Sequence, residues 1–392
     1  MSKDVVVLSA VRSAVGTFAG ALSGLEPGDL AGRVMKEAVA RSGVAAADIN
    51  YVTVGNCIPT ESHFAYVARI ASIQAGLPME SVAMAVNRLC SSGLQAIVSS
   101  AQAIMLGDCE YGIGGGVEVM SRAAYMLPTL RSGARMGNTP AIDMMVDTLT
   151  DPFGVGHMGV TAENLATKWN ISREEQDAFA LESQVRAARA IAEGRFKSQI
   201  VPIVQQTRKG DVVFDTDEHP RATTMEALAK MKPAFKKDGS VTAGNASGLN
   251  DAAAFFVLAD AATAAKAGHK AMARIVSYAV AGVPNDLMGE GPIPATKLAL
   301  KRAGLSLDQI DVIESNEAFA AQAIAVTRAL GLDPAKTNTN GGAIALGHPV
   351  GCSGALIATK ALYELERVQG RYALVTMCIG GGQGIAVIFE RA

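Results

Sequence analysis

Two cysteines and a histidine occupy positions at which a side chain could do chemistry. Cys90 closes an apolar strand pattern and precedes a helical pattern over 91–98. Free backbone amides and the helix dipole at such a turn favour an anion, which predicts a lowered thiol pKa and a nucleophilic sulfur. A single cysteine is also often a small buried hydrophobic residue, so this position alone leaves both interpretations open.

His348 lies in the glycine-rich segment 341–354. A loop of that composition brings backbone amides close to a ligand. A histidine held there suits the work of a general base or an oxyanion donor. The alternative is a surface histidine in a flexible turn.

Cys378 stands where the apolar strand pattern from Ala373 runs into a glycine turn. This is the carboxyl end of a strand, where α/β sheets usually place their sites. The glycines at 380–384 and at 114–116 resemble a dinucleotide loop, but such a loop needs a helix directly after it. The segment 385–389 has a strand pattern instead, so we predict no nucleotide cofactor at either place.

The composition limits which classes of protein the chain can belong to. The 392 residues are 49% hydrophobic and 18% charged, with a net charge of −2. This suffices for two or three core-bearing units and argues against nucleic acid or an anionic membrane as the main partner. Five scattered cysteines without a CxxC pair predict free thiols, with neither a disulfide framework nor a metal site. The apolar run after Met1–Asp4 is too short for a signal peptide or a membrane span, so a cytoplasmic enzyme is expected.

The positioning elements occur twice along the chain. The segment 47–56 aligns without gaps on 307–316, and each ends at an asparagine. The segment 90–93 likewise matches 351–354, and each precedes a helix. Alternating strands and helices in both halves predict parallel sheets sandwiched by helices. Chance similarity of two α/β segments is the alternative.

The repeat predicts domain boundaries. The first half comprises 1–120 together with 250–270, and the second half comprises 271–392. The intervening stretch 121–249 is richer in charge, proline and methionine, which indicates an inserted domain.

Four motifs, 87–93, 315–320, 347–351 and 378–382, resemble the thiolase family in order along the whole chain. The chain is similar to bacterial acetyl-CoA acetyltransferases and β-ketothiolases. Ser91 stands where many members have glycine, a departure that leaves the thiol in place. The resemblance implies an α/β, thiolase-like duplicated αβαβα layered fold with an inserted loop domain. It also implies an acyl-CoA:acyl-CoA C-acyltransferase, which performs reversible Claisen condensation or thiolysis of 3-ketoacyl-CoA through a covalent acyl-cysteine, with ping-pong kinetics.

The resemblance also implies a division of roles. Cys90 attacks the thioester, and His348 activates that thiol and donates to one oxyanion hole. Cys378 moves the proton of the α-carbon, and Asn316 holds a water in the hole shared with His348. The amides of Cys90 and Gly380 form the other hole.

The inserted region resembles the loop domain with which the family binds coenzyme A. The resemblance implies that coenzyme A is a substrate and that no cofactor is permanently bound. The implied contacts with acyl-CoA are His157, Met158, Arg221, Phe235, Ala243, Ser247, Leu249, Met288 and Phe319. Ordinary core packing remains open for Phe235 and Leu249, and a solvated charge remains open for Arg221. Met288 and Phe319 are expected beside the acyl group.

Arg122, Arg131 and Arg135 lie in the stretch that family members use for tetramer contacts, which implies a homotetramer built as a dimer of dimers. An exposed basic loop is the alternative. Two rival functions remain. Another condensing enzyme of the superfamily would lack the cysteine of the Cys378 motif, and a non-catalytic acyl-CoA or lipid carrier with this fold would lack at least one of the three reactive residues.

Overall fold

The computed structural model describes residues 3–207 and 210–392. The β-strands within these ranges are β1 (Val5–Ser13), β2 (Gly16–Thr17), β3 (Tyr51–Gly55), β4 (Val82–Val86), β5 (Tyr111–Val119), β6 (Tyr125–Met126), β7 (Ile142–Asp143), β8 (Thr150–Asp151), β9 (Gly156–His157), β10 (Ile200–Val201), β11 (Ile203–Thr207), β12 (Gly210–Phe214), β13 (Asn250–Asp260), β14 (Ala273–Gly282), β15 (Val312–Ser315), β16 (Tyr372–Ile379) and β17 (Gln383–Arg391).

The α-helices within the same ranges are α1 (Pro27–Ser42), α2 (Val67–Gln74), α3 (Ser92–Leu106), α4 (Met144–Thr148), α5 (Met158–Lys168), α6 (Arg173–Ala192), α7 (Met225–Ala229), α8 (Ala261–Ala267), α9 (Pro292–Ala303), α10 (Ala320–Leu330), α11 (Ala343–Leu346) and α12 (Ser353–Arg367). Apolar residues from helices and strands of both halves meet in one buried cluster, and each half has a further buried cluster of its own.

The two halves repeat one strand order. In the first half the order is β4-β3-β5-β13-β1, and in the second half it is β15-β16-β17-β14. A parallel bridge between Ile313 and Thr337 takes the place of an edge strand in the second half. Strand directions also match, since β3 runs parallel to β5 just as β15 runs parallel to β16. The predicted duplication of the layered fold is confirmed.

The expectation of parallel sheets is wrong in one respect, because each half contains a mixed sheet. Strand β17 pairs antiparallel with both β16 and β14, and β13 pairs antiparallel with both β5 and β1. Only three residues, Gly380–Gly382, join β16 to β17, and so short a connection closes a hairpin. The strand pattern expected over 385–389 is confirmed, since β17 follows these glycines directly.

Two central helices pack between the halves with little room for side chains. A Cβ added at Gly93 of α3 would lie 3.0 Å from the amide nitrogen of Ala355, and one at Gly354 of α12 would lie 2.6 Å from Leu94. Close backbone approach of this kind requires glycine. Since Cys90 precedes α3 and His348 precedes α12, this packing brings the two turns together. The span Leu89–Leu106, which is long and apolar enough to cross a membrane, is 61% buried inside the protein.

The inserted stretch leaves the first half after β5 and returns at β13. A buried ion pair ties it back to β1, since Arg12 Nη1 lies 2.7 Å from Asp217 Oδ1 and both side chains are 1% exposed. Helix α6 packs against α11 of the second half. The insert is therefore held against both halves beside the loop that carries His348.

Candidate active site

Cys90 sits in a tight turn between β4 and α3. The preceding Leu89 has a left-handed backbone with φ +47°, and its amide donates to Asn87 Oδ1 at 2.9 Å. Ser92 Oγ donates to the Leu89 carbonyl at 2.7 Å. The hydroxyl of Ser91 donates to the carbonyl of Arg88, so this serine fits within the turn. Side-chain hydrogen bonds thus hold the uncommon backbone that presents the thiol.

The predicted lowering of the Cys90 pKa is wrong. Cys90 lines a pocket and is partly exposed, yet the protein surrounding its sulfur raises the pKa to about 11. Hydrogen bonds from the Gly380 amide and from its own amide act in the opposite direction and are outweighed. Loss of hydration disfavours the thiolate more than a few amides favour it. The thiol is therefore neutral at neutral pH and needs a base.

The imidazole of His348 is suited to be that base. It is buried, and its amide donates to Asn250 Oδ1 at 2.9 Å. Its Nδ1 lies 2.5 Å from Ser353 Oγ, whose single proton goes to the Pro349 carbonyl at 2.8 Å. The Nδ1 atom must then carry hydrogen, and Nε2 keeps its lone pair. Burial lowers the pKa of His348 to about 4, so the imidazole is neutral and able to accept a proton.

Cys378 is the last residue but one of β16 and is fully buried. Burial is the first cause that raises its pKa far above the usual range, and the neighbouring charge of Cys90 is the second. The two thiols are therefore close enough to interact electrostatically. The turn that follows places Gly381 and Gly382 at φ +78° and +89°, and the amide of Gly380 points back at the sulfur of Cys90. Cys90 and Cys378 therefore lie near one another, beside the turn that follows β16.

Asn316 follows β15, and its amide donates to the Thr376 carbonyl at 3.0 Å. Both polar atoms of its carboxamide are buried without a protein hydrogen-bond partner among the described residues, as is Nε2 of His348. Buried polar atoms are rarely left unpaired unless they serve a ligand or an ordered water. The predicted catalytic residues accordingly offer hydrogen-bonding groups that the protein itself does not use.

One pocket of about 640 Å³ collects the remaining predicted residues with Cys90 and His348. The predicted acyl-CoA contacts that line it are His157, Met158, Arg221, Phe235, Ala243, Ser247, Leu249, Met288 and Phe319. Cys378 packs in a buried apolar cluster with Met158, Met288 and Phe319. Cys378, Asn316 and Gly380 do not line the pocket. Asn316 directly follows β15, and Gly380 directly follows β16.

Aromatic rings shape one wall of this pocket. The rings of His157 and Phe235 stack at 4.8 Å, and Phe235 meets Phe319 edge-on at 6.0 Å. His157 Nδ1 accepts the Gly159 amide at 3.1 Å, so its other nitrogen carries the hydrogen and can donate to a ligand. Arg221 is exposed at the pocket, with its amide bound to Gln184 Oε1.

The sequence did not reveal several lining residues, which share apolar character or lie in irregular segments. They include Met120, Met145, Leu149, His219, Met231, Ile344 and Val350. His219 precedes Arg221 by two residues, a spacing that could have marked it. For the methionines and aliphatic residues no signal in the chain separates pocket lining from core packing.

The fold and the site together are those of an acyltransferase with two cysteines: a thiol and a neutral imidazole line an apolar pocket, and a second thiol is buried behind pocket-lining residues. Residues 5–262 match the family described as Thiolase, N-terminal domain, and residues 269–391 match Thiolase, C-terminal domain. The chain belongs to the thiolase family.

Similar proteins agree along the full length. The chain is 58% identical to the β-ketothiolase BktB of Cupriavidus necator, with 100% of each chain covered. It is 51% identical to an acetyl-CoA acetyltransferase of Pseudomonas aeruginosa, covering 99% of this chain and 100% of that one.

Solved structures agree as well. The acetyl-CoA acetyltransferase of Bacillus anthracis has a TM-score of 0.98 at 46% identity, with coverage of 100% and 99%. Human mitochondrial 3-ketoacyl-CoA thiolase in complex with CoA has a TM-score of 0.96 at 43% identity, with coverage of 100% and 98%.

Proposed function

We propose that this acyltransferase joins two acyl-CoA molecules in a reversible Claisen condensation, or cleaves 3-ketoacyl-CoA with free coenzyme A, through an acyl-Cys90 intermediate. The observation that carries the proposal is the neutral imidazole of His348, whose Nε2 has no hydrogen-bond partner within the described part of the chain, in one pocket with the thiol of Cys90, whose pKa is raised. The names of the β-ketothiolase and acetyltransferase relatives support the choice of substrate.

In the first half-reaction Cys90 attacks the thioester carbonyl while Nε2 of His348 takes its proton. The amides of Cys90 and Gly380 stabilise the oxyanion, since both already point at the sulfur that carries the acyl group. Coenzyme A then leaves as a thiol with the proton of Cys378. This leaves an imidazolium and a Cys378 thiolate, which balance one another in charge.

In the second half-reaction the Cys378 thiolate removes a proton from the α-carbon of the next acyl-CoA. The Nε2–H of His348 and Asn316, through a bound water, stabilise the enolate oxygen. The enolate attacks the acyl group, and the Cys90 thiolate that leaves recovers its proton from His348. Every group thereby returns to its starting state. Two such half-steps replace one difficult direct condensation.

A variant that separates the half-reactions tests this proposal. Cys378→Gly should still accept label from radioactive acetyl-CoA on Cys90, yet release no condensation product. Cys109→Ala removes another buried cysteine that does not line the pocket, and serves as the matched control with normal turnover. Failure of Cys378→Gly to retain label would contradict the division of labour between the thiols.

We also propose a homotetramer. The stretch after β5 exposes several large apolar side chains in sequence with Arg131 and Arg135, namely Tyr125, Met126, Leu127, Leu130 and Met136. Several exposed apolar side chains within one short stretch are typical of an interface. Light scattering after size exclusion should give four chains per particle, and a monomer at micromolar concentration would refute it.

We also propose a cytoplasmic location. All five cysteines are free thiols, and two of them must stay reduced to react, which a reducing compartment ensures. Fractionation of the native host should recover the activity with cytoplasmic markers. Recovery in another compartment would contradict the proposal.

A further inference from the structure

A buried carboxylate at the end of β5 is unused by the reaction described above. Glu118 is fully buried, and its two oxygens accept four N–H groups. Asn56 Nδ2 and the Ile58 amide reach Oε1 at 2.8 and 3.2 Å, while the amides of Cys57 and Gly351 reach Oε2 at 3.1 and 2.8 Å. An ionised carboxylate, which only accepts hydrogen bonds, satisfies all four donors.

The duplication shows what this position corresponds to. The last residue of β3 pairs with Gly116 of β5, and the last residue of β15 pairs with Thr376 of β16. Two residues further along these strands stand Glu118 and Cys378. The carboxylate of the first half therefore occupies the place that the second thiol occupies in the second half.

The neighbours correspond in the same way. Asn56 follows β3 as Asn316 follows β15, and Gly351 aligns with Cys90 in the repeated segments. In the second half, the Asn316 carboxamide has no hydrogen-bond partner among the residues that the structure describes, and Cys378 interacts electrostatically with Cys90. In the first half, the asparagine and the glycine are both bound to Glu118. The polar groups of the second half can thus bind a ligand, whereas the corresponding groups of the first half are bound to the Glu118 carboxylate.

Glu118 and the residues bound to it contact both the loop that carries His348 and the turn that carries Cys90. Gly351 lies three residues after His348, and a Cβ there would come within 2.6 Å of Glu118 Oε2, so only glycine permits this contact. On the other side, the thiol of Cys57 donates to the carbonyl of Leu89, which precedes the nucleophile, at 3.0 Å. Glu118 therefore joins the backbone of the base to the backbone of the nucleophile across the two halves.

We propose that Glu118 is a positioning residue for acyl transfer: its carboxylate sets the distance between the His348 loop and the Cys90 turn. The inference rests on the proposed function. Asn250, which holds the His348 amide from the adjacent strand, is the second anchor of the same loop.

The charge of Glu118 gives this role a signature that packing alone would lack. It opposes ionisation of Cys90, Cys57 and Cys352, and the other titratable groups near Cys90 are His348 and Cys378. Replacing the carboxylate by a neutral amide should make the Cys90 thiolate easier to form. Burial raises the pKa of Glu118 to about 7, so the charged form prevails at pH 8 and above.

Two variants and a control test the proposal in the full-length enzyme. Glu118→Gln keeps the shape but turns an amide toward N–H donors, and Glu118→Asp keeps the charge but shortens the reach. Glu364→Gln removes a buried carboxylate that binds Thr339, Asn340 and Arg367 outside the pocket. The measurements at pH 8 are the rate of acyl-Cys90 formation from acetyl-CoA and its KM. The pH midpoint of Cys90 alkylation by iodoacetamide is followed by peptide mass spectrometry.

We expect Glu118→Gln to lower the acylation rate by ~10²-fold, the usual effect of a displacement of about 1 Å between reacting groups, with little change in KM. Its alkylation midpoint should move to lower pH. Glu118→Asp should lose rate while keeping the wild-type midpoint, and Glu364→Gln should match the wild-type enzyme in both measurements.

An acylation rate near that of the wild type in Glu118→Gln would overturn the proposal, as would a loss of rate with an unmoved midpoint. If Glu118→Gln does not fold, Glu118→Asp decides, because normal acylation by that variant would equally overturn it. A wild-type enzyme that forms no acyl-Cys90 would instead refute the proposed function.

Discussion

Replacing His348 by asparagine tests whether a neutral imidazole makes Cys90 reactive. With a pKa of about 11, only about one Cys90 thiol in 10⁴ is ionised at pH 7 without a base, a deficit of about 5 kcal/mol at 1.36 kcal/mol per pKa unit. General base catalysis typically contributes ~10²–10⁴-fold. We therefore expect acyl-Cys90 formation in His348→Asn to be ~10²–10⁴-fold slower at pH 7.

The pKa values of His348 and Cys90 predict how the pH dependence of acyl-Cys90 formation should change in this variant. The His348 pKa of about 4 keeps the base available above that pH, and the Glu118 pKa of about 7 keeps its carboxylate charged above neutrality. The wild-type rate should therefore be level from pH 8 upward, fall as the pH drops through about 7, and fall again through about 4. In the variant the rate should follow the thiolate, which increases about tenfold per pH unit until the pH approaches the Cys90 pKa of about 11.

Rapid quenching with radioactive acetyl-CoA, followed by precipitation of the labelled protein, measures this rate directly. His269→Asn is a matched control, because His269 lies against the edge of the Tyr111 ring at 5.9 Å and does not line the pocket. A His348→Asn enzyme with a wild-type rate at pH 7, or with a level pH profile, would refute the role given to the imidazole.

Three further changes probe the nucleophile, the pocket wall and the insert. Cys90→Ser should take up no acyl label while calorimetry still detects coenzyme A binding. Phe235→Ala removes the ring stacked on His157, and a loss of ~0.5–1.5 kcal/mol should raise KM for acyl-CoA about two- to tenfold in steady-state assays. Asp217→Asn leaves the buried guanidinium of Arg12 without its charge partner, which should lower the free energy of unfolding by roughly 3–5 kcal/mol in urea titration.

The sequence singled out the candidate catalytic residues because each lies at a local change of pattern. A strand pattern that ends at Cys90, a glycine-rich loop around His348 and a strand that runs into glycines after Cys378 are all legible within a few neighbours. The repeated order of elements was legible for the same reason, since alternation of strand and helix patterns needs no knowledge of contacts. These features determined the duplicated fold and the family resemblance.

Tertiary structure decided what depends on residues far apart in the chain. The mixed sheets follow from the neighbours that each strand pairs with, which a pattern along one strand does not encode. The pKa of Cys90 rises because distant elements remove water from its sulfur, an effect stronger than the helix terminus beside it. Glu118 gave no signal at all, since its donors lie 60 to 233 residues away. Burial and long-range hydrogen bonds exist only once the two halves have packed together.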